Sequence, residues 1–219
     1  MNPGWIVGNG IAVVSAVICM AYLTHVLRTS GSTAGRPILS IVVISVTAII
    51  TGLQFVYPEV LVALRRDGDG LRSGEIWRLV TPILIQPAGI VQCALNAALA
   101  LMFIPLTERL YGRGMLALYF SAGIAGQIAL YAWDSPLTGG SSTAIFGTIG
   151  GLLVYTVRHG RRLRMPFVII AAIGILGGAT LAILRDGHGV GLLTGVLLGA
   201  VLARWDMVEK RGLVVSPRI

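Results

Sequence analysis

Seven apolar stretches, each close to the ~20 residues a helix needs to cross a hydrocarbon core, constrain this chain more than any other feature. They fall at about 5–27, 37–57, 89–106, 115–133, 142–157, 166–184 and 188–203. Composition supports the same reading, since 12% of the 219 residues are charged, about half the ~25% of a soluble domain. Mean hydropathy is +0.84. The expected fold class is therefore an all-α membrane protein. The first stretch is read as a retained lead helix, because "MNPGW" lacks a basic n-region and the run is longer than the ~7–15 residues of a signal-peptide core. The other six are numbered below as core helices one to six.

Orientation follows from the basic residues in alternate loops. Twelve of the seventeen Lys and Arg fall on one side and five on the other, which also receives six of the nine acids. The richer side is expected to be cytoplasmic, leaving the N-terminus outside and the C-terminus inside. The net charge of +8 is then explained by the cytoplasmic loops, with the lipid bilayer rather than nucleic acid as partner. Size and basic loops suggest a bacterial inner membrane. Cys19 and Cys93 both lie in apolar runs, so neither a disulfide framework nor a Cys-rich metal site is supported. One long outer loop, residues 58–88, is expected, and no internal repeat is found.

Polar residues inside spans are costly and mark function. Ser142, in "GGSSTAIFG", precedes Arg158 by 16 residues, and His188, in "DGHGVG", precedes Arg204 by 16. At 1.5 Å per residue each lies ~24 Å from its inner arginine, hence below the outer surface of a ~30 Å core. Asn96 precedes Arg109 by 13 residues, placing it within about a turn of the same layer. The "DSPLTGG" segment must then dip inward, which irregular backbone survives only inside protein or beside a wet cavity. Small-residue stripes at Gly147 and Gly151 and at Gly191, Gly195 and Gly199 predict close approach of core helices four and six. A hydroxyl and an imidazole at one depth point to nucleophilic catalysis, in which histidine takes the serine proton. Asn96 and the backbone N–H groups at the start of helix four are candidate oxyanion donors. Phe146, one turn after Ser142, shares its face and is expected to support the imidazole.

In order along the chain, "GEIWR", Asn96, "PLTERLYG", the G-x-S of "GSSTAIFG" and the H-x-x-G-x-x-x-G of "HGVGLLTG" resemble the rhomboid intramembrane serine proteases. The resemblance covers about residues 37–205 and implies a rhomboid-like six-helix bundle, here with one extra N-terminal transmembrane helix. Residues 1–36 are then the lead helix and its linker, and 206–219 a basic cytoplasmic tail. By resemblance, Ser142 is the nucleophile, His188 the general base of a dyad that requires no acid, and Asn96 an oxyanion donor. Phe146 takes the place of the aromatic packed on the histidine. Trp77–Arg78 and Glu108–Arg109 match the family's W-R and E-R pairs. No cofactor is implied, and the implied substrates are single-pass transmembrane proteins, cut near the outer end of their helix after lateral entry.

Three positions depart from the pattern. Gln92 stands four residues before Asn96, where many rhomboids have histidine, and Gln86 stands where a second histidine often lies. Gln92 can still donate through its amide and is counted as oxyanion support. Thr143 replaces the glycine after the nucleophile, and its β-branch is expected to crowd or tilt the oxyanion backbone. Two readings follow: a serine endopeptidase, and a rhomboid-like pseudoprotease that binds transmembrane clients without cleaving them. A channel or transporter is less supported, since no charge sits mid-membrane.

Other polar groups have blander readings. Asp186 is read first as a loop acid paired with Arg185 and second as a group orienting His188. Gln127 either holds water for the reaction or bonds between helices, Asn9 bonds between helices, and His25 and His159 are solvated.

Overall fold

The computed structural model describes residues 3–29, 36–136, 138–158 and 165–203. His159 and the basic stretch to 164, Arg204 and the tail 206–219 lie outside the described residues. Among the described residues seven long helices carry the fold: α1 (Pro3–Thr29), α2 (Ile38–Val56), α5 (Ile90–Tyr111), α6 (Gly114–Ala132), α7 (Ser142–Arg158), α8 (Met165–Ile183) and α9 (Gly187–Leu202). Between α2 and α5 come two short helices, α3 (Pro58–Leu64) and α4 (Gly68–Arg72), and two 3-10 turns, Ile76–Leu79 and Thr81–Leu84. No strand occurs among the described residues. The molecule is an all-α membrane bundle.

Among the described residues five helices, α1, α2, α5, α6 and α8, are long and apolar enough to cross a membrane alone. α7 has 17 residues and α9 has 16, in keeping with the runs expected at 142–157 and 188–203 and shorter than the other five. The shortening has a physical cause. Every residue of α7 from Thr143 to Thr156 is buried, so protein rather than lipid surrounds this helix and the bilayer thickness does not set its length. Its first turn starts where the chain has already sunk into the bundle. The long outer loop is corrected too: residues 58–84 are largely helical, and Arg78 ties them together by pairing with Glu75 and donating to the carbonyls of Val62 and Arg65, both at 3.0 Å. Trp77 of the same turn is 50% exposed.

α7 packs most extensively on α9, and the glycine stripes are the reason. A Cβ on Gly195 would lie 2.0 Å from the Gly147 carbonyl oxygen, and one on Gly191 only 2.3 Å from that of Thr143. Gly199 approaches the Gly151 Cα in the next register. The two backbones therefore touch along three turns, as small-residue stripes permit in a membrane. On the far side α1 runs along α8. Its fit includes Gly8 against Leu181, a stacked Tyr22–Phe167 pair with centroids 3.8 Å apart, and Trp5 Nε1 donating to the Leu184 carbonyl at 3.0 Å. At the opposite end of the bundle Glu108 accepts from the backbone N–H groups of Leu39 and Ser40, at 3.1 and 2.7 Å, and from the Ser40 hydroxyl at 2.6 Å. A carboxylate from α5 thereby caps α2, which starts after proline and has no side-chain cap of its own.

Candidate active site

The connection into α7 shows why two glycines precede the serines. Its backbone is strapped down by the N–H of Arg66 to the Thr138 carbonyl at 2.7 Å and by the N–H of Gly140 to the Pro82 carbonyl at 2.8 Å. Gly140 has φ +139°, a conformation that glycine alone adopts cheaply. A Cβ there would also meet Gln92 Nε2 at 2.4 Å, and one on Gly139 would meet the Pro82 carbonyl oxygen at 2.9 Å. The chain thus turns sharply between a 3-10 turn and α5, then enters α7 at Ser142 with the helix N-terminus facing the bend.

α9 begins beside it. Asp186 is its N-cap, with the side chain accepting from the backbone N–H of His188 at 2.9 Å. This cap and the glycine contacts of α9 with α7 bring His188 Nε2 to 2.8 Å from Ser142 Oγ. The other ring nitrogen, Nδ1, lies 2.6 Å from Asp186 Oδ1. A carboxylate only accepts, so Nδ1 carries the proton, Nε2 is free, and the Ser142 hydroxyl donates to it. Asp186 Oδ2 accepts from Asn9 Nδ2 of the lead helix at 3.1 Å. The first reading of Asp186 is therefore corrected: it is 8% exposed and faces the imidazole, whereas Arg185 lies exposed at φ +58°. Burial raises the pKa of this carboxyl, but the bonds from the His188 ring and backbone and from Asn9 outweigh it and hold the group below the ordinary carboxylate range. Phe146 packs on the imidazole, with ring centroids 4.8 Å apart and tilted by 47°.

Ser142, His188, Asn96, Gln92 and Phe146 line one cavity of about 440 Å³, so all five expected site residues are brought together. Asn96 does not hang free. Its Nδ2 donates to Gln86 Oε1 at 2.7 Å, while Gln86 Nε2 donates to Ser141 Oγ at 3.0 Å. Gln86 is fixed in turn by a reciprocal pair with Gln54, its N–H to Gln54 Oε1 and Gln54 Nε2 to its carbonyl, both 2.8 Å. An amide nitrogen has two hydrogens, and this bond uses one of those on Asn96, a residue that lines the cavity. Gln92 is held by the Ala88 N–H at 2.8 Å and reaches the Gly139 carbonyl at 3.3 Å, so it steadies the bend beside the serine.

Thr143 also borders the cavity, yet its Cβ and Cγ2 fill the gap at Gly126 of α6, and its backbone is regular helix. The expected tilt of the oxyanion backbone is not seen. Its buried hydroxyl makes no hydrogen bond. Gln127 Oε1 accepts from Arg66 Nε at 3.2 Å, tying α6 to the outer loop. His25 is exposed on α1.

Such an arrangement can activate a hydroxyl. The unprotonated Nε2 takes the serine proton as the oxygen attacks an electrophile, and the carboxylate at Nδ1 stabilises the imidazolium that forms. Helix α7 aims its N-terminal dipole and N–H groups at the developing negative charge.

A sequence model of the family described as Rhomboid domain matches residues 73–205. Among curated proteins, "Rhomboid protease GluP" of Bacillus subtilis (strain 168) is 34% identical over 151 residues, which cover 66% of this chain and 30% of GluP. "Putative rhomboid protease YdcA" of the same organism is 38% identical over 107 residues, covering 45% of this chain and 53% of YdcA. The chain thus spans about a third to a half of the length of these relatives.

Proposed function

The chain belongs to the rhomboid family, and from that membership and the geometry of the cavity we propose that it is an intramembrane serine protease. Ser142 Oγ attacks the carbonyl carbon of a peptide bond in a transmembrane substrate, and His188 Nε2 takes the hydroxyl proton. The tetrahedral oxyanion is met by the free amide hydrogen of Asn96 and by N–H groups at the start of α7. His188 returns the proton to the leaving amine, the C–N bond breaks, and an acyl-serine is left. Water then attacks the acyl carbon, giving its proton to His188, and the acid product leaves as Ser142 regains its hydrogen.

The observation that carries this reading is the 2.8 Å approach of Ser142 Oγ and His188 Nε2 at the wall of a cavity. Neither side chain serves a binding protein. The substrates are single-pass transmembrane proteins that reach the cavity from the lipid, and the setting is a bacterial inner membrane with the N-terminus outside, in keeping with the basic loops and the Bacillus relatives.

The test is a reconstitution. Purified chain and single-pass reporter proteins in liposomes should yield two reporter fragments, with cleavage lost in both Ser142→Ala and His188→Ala. A wild-type protein that co-purifies with reporters yet never cuts them would instead establish the client-binding pseudoprotease.

A further inference from the structure

We infer that this site works as a Ser142–His188–Asp186 relay whose last member is held by the lead helix, making Asp186 and Asn9 positioning residues. The inference rests on the hydrolytic reading above and names groups beyond its nucleophile and base. Three observations carry it. Asp186 is buried and gives its two oxygens to separate tasks: Oδ1 takes the His188 ring N–H at 2.6 Å, and Oδ2 takes the Asn9 amide at 3.1 Å. Asn9 is itself fixed, since its Nδ2 also donates to the Trp5 carbonyl at 2.8 Å, while the Trp5 indole grips the Leu184 carbonyl at 3.0 Å, two residues before the acid. Asn9 and Val13 line the same cavity as Ser142, so α1 is a wall of the site and not a separate anchor.

Chemically, the carboxylate sets the tautomer. With Nδ1–H committed to Asp186, the only ring nitrogen able to receive the serine proton is Nε2, the one facing Ser142. During attack a proton moves from Ser142 Oγ to Nε2, and the positive charge that appears on the ring lies beside a negative oxygen. No other ionisable side chain among the described cavity residues competes: α1 presents Asn9, α5 presents Gln92 and Asn96, α6 presents Gln127 and α7 presents Ser142, all uncharged. Arg185 is exposed, and Arg66 is turned to Gln127 and the Ser135 carbonyl.

Asp186→Asn is the informative variant, because an asparagine oxygen still caps α9 and the fold is kept. Reporter cleavage in liposomes should show kcat lowered about 10²-fold with KM within about twofold, since the loss falls on proton transfer. Asn9→Ala should lower kcat several-fold, less than Asp186→Asn does, because the carboxylate persists. Independently of turnover, proton NMR of the purified full chain should show one strongly deshielded imidazole N–H, absent in both His188→Gln and Asp186→Asn. Unaltered kcat in Asp186→Asn, or a deshielded proton indifferent to that change, overturns the relay. A wild type with the deshielded proton but no cleavage counts against hydrolysis alone and upholds the His188–Asp186 contact.

Discussion

Asn96 has one amide hydrogen committed to Gln86, and in the proposed mechanism the other meets the oxyanion, so that division sets its effect. Removing a single oxyanion donor costs about 10²–10³ in kcat where the donor is preorganised, and the Gln54–Gln86 pair preorganises this one. Asn96→Ala should therefore lower kcat for reporter cleavage about 10²-fold while fluorophosphonate-independent properties such as the thermal midpoint move little. Ser142, His188, Asn96 and Phe146 were legible as residues because each departs from, or is placed by, helical spacing in an apolar run. Asp186 was misread because the two-residue spacing to His188 was weighed without its cap geometry. An N-cap has extended backbone, so its side chain swings back over the first turn to the N–H two residues on, and the D-G-H ahead of an apolar run is such a signature. Gln86 stood out as a departure from the family pattern, but neither it nor Gln54 signalled their pairing. Their pairing joins positions 32 residues apart through tertiary structure, and an isolated glutamine near a span edge does not announce its partner.

At the level of elements, hydropathy placed all seven long helices within a few residues of where they lie. The errors share one cause, namely that hydropathy measures contact with lipid. α5 runs on through Thr107, Glu108 and Arg109 to Tyr111, past the end of its apolar run, because backbone hydrogen bonds continue after hydrophobic contact ceases. The 58–84 segment is polar and yet helical for the same reason. The α7–α9 contact was legible in advance because glycine spacing reports backbone approach directly. Gly195→Ala tests it: its Cβ would need room 2.0 Å from a backbone oxygen, and no side chain can yield the space. The two helices must part, costing about 3 kcal/mol and pulling His188 from Ser142. A lowered thermal midpoint with loss of cleavage is expected, whereas Gly10→Ala, with open space around it, should behave as wild type.

Viewed whole, the molecule encloses one short polar helix start within a ring of longer apolar helices. α7 is buried against α9, α6, α8, α5 and α1, and Ser142 at its start lines the cavity. In the proposed mechanism the reactivity of the Ser142 hydroxyl depends on the His188 imidazole. The most direct measurement is the intact mass of the purified protein after treatment with a fluorophosphonate, whose phosphorus accepts Ser142 Oγ as fluoride leaves. A single adduct should form on the wild type, map to the peptide containing Ser142, and be absent from Ser142→Ala and strongly slowed in His188→Ala. A folded wild-type protein that acquires no adduct, or one that labels equally without the imidazole, would contradict the account.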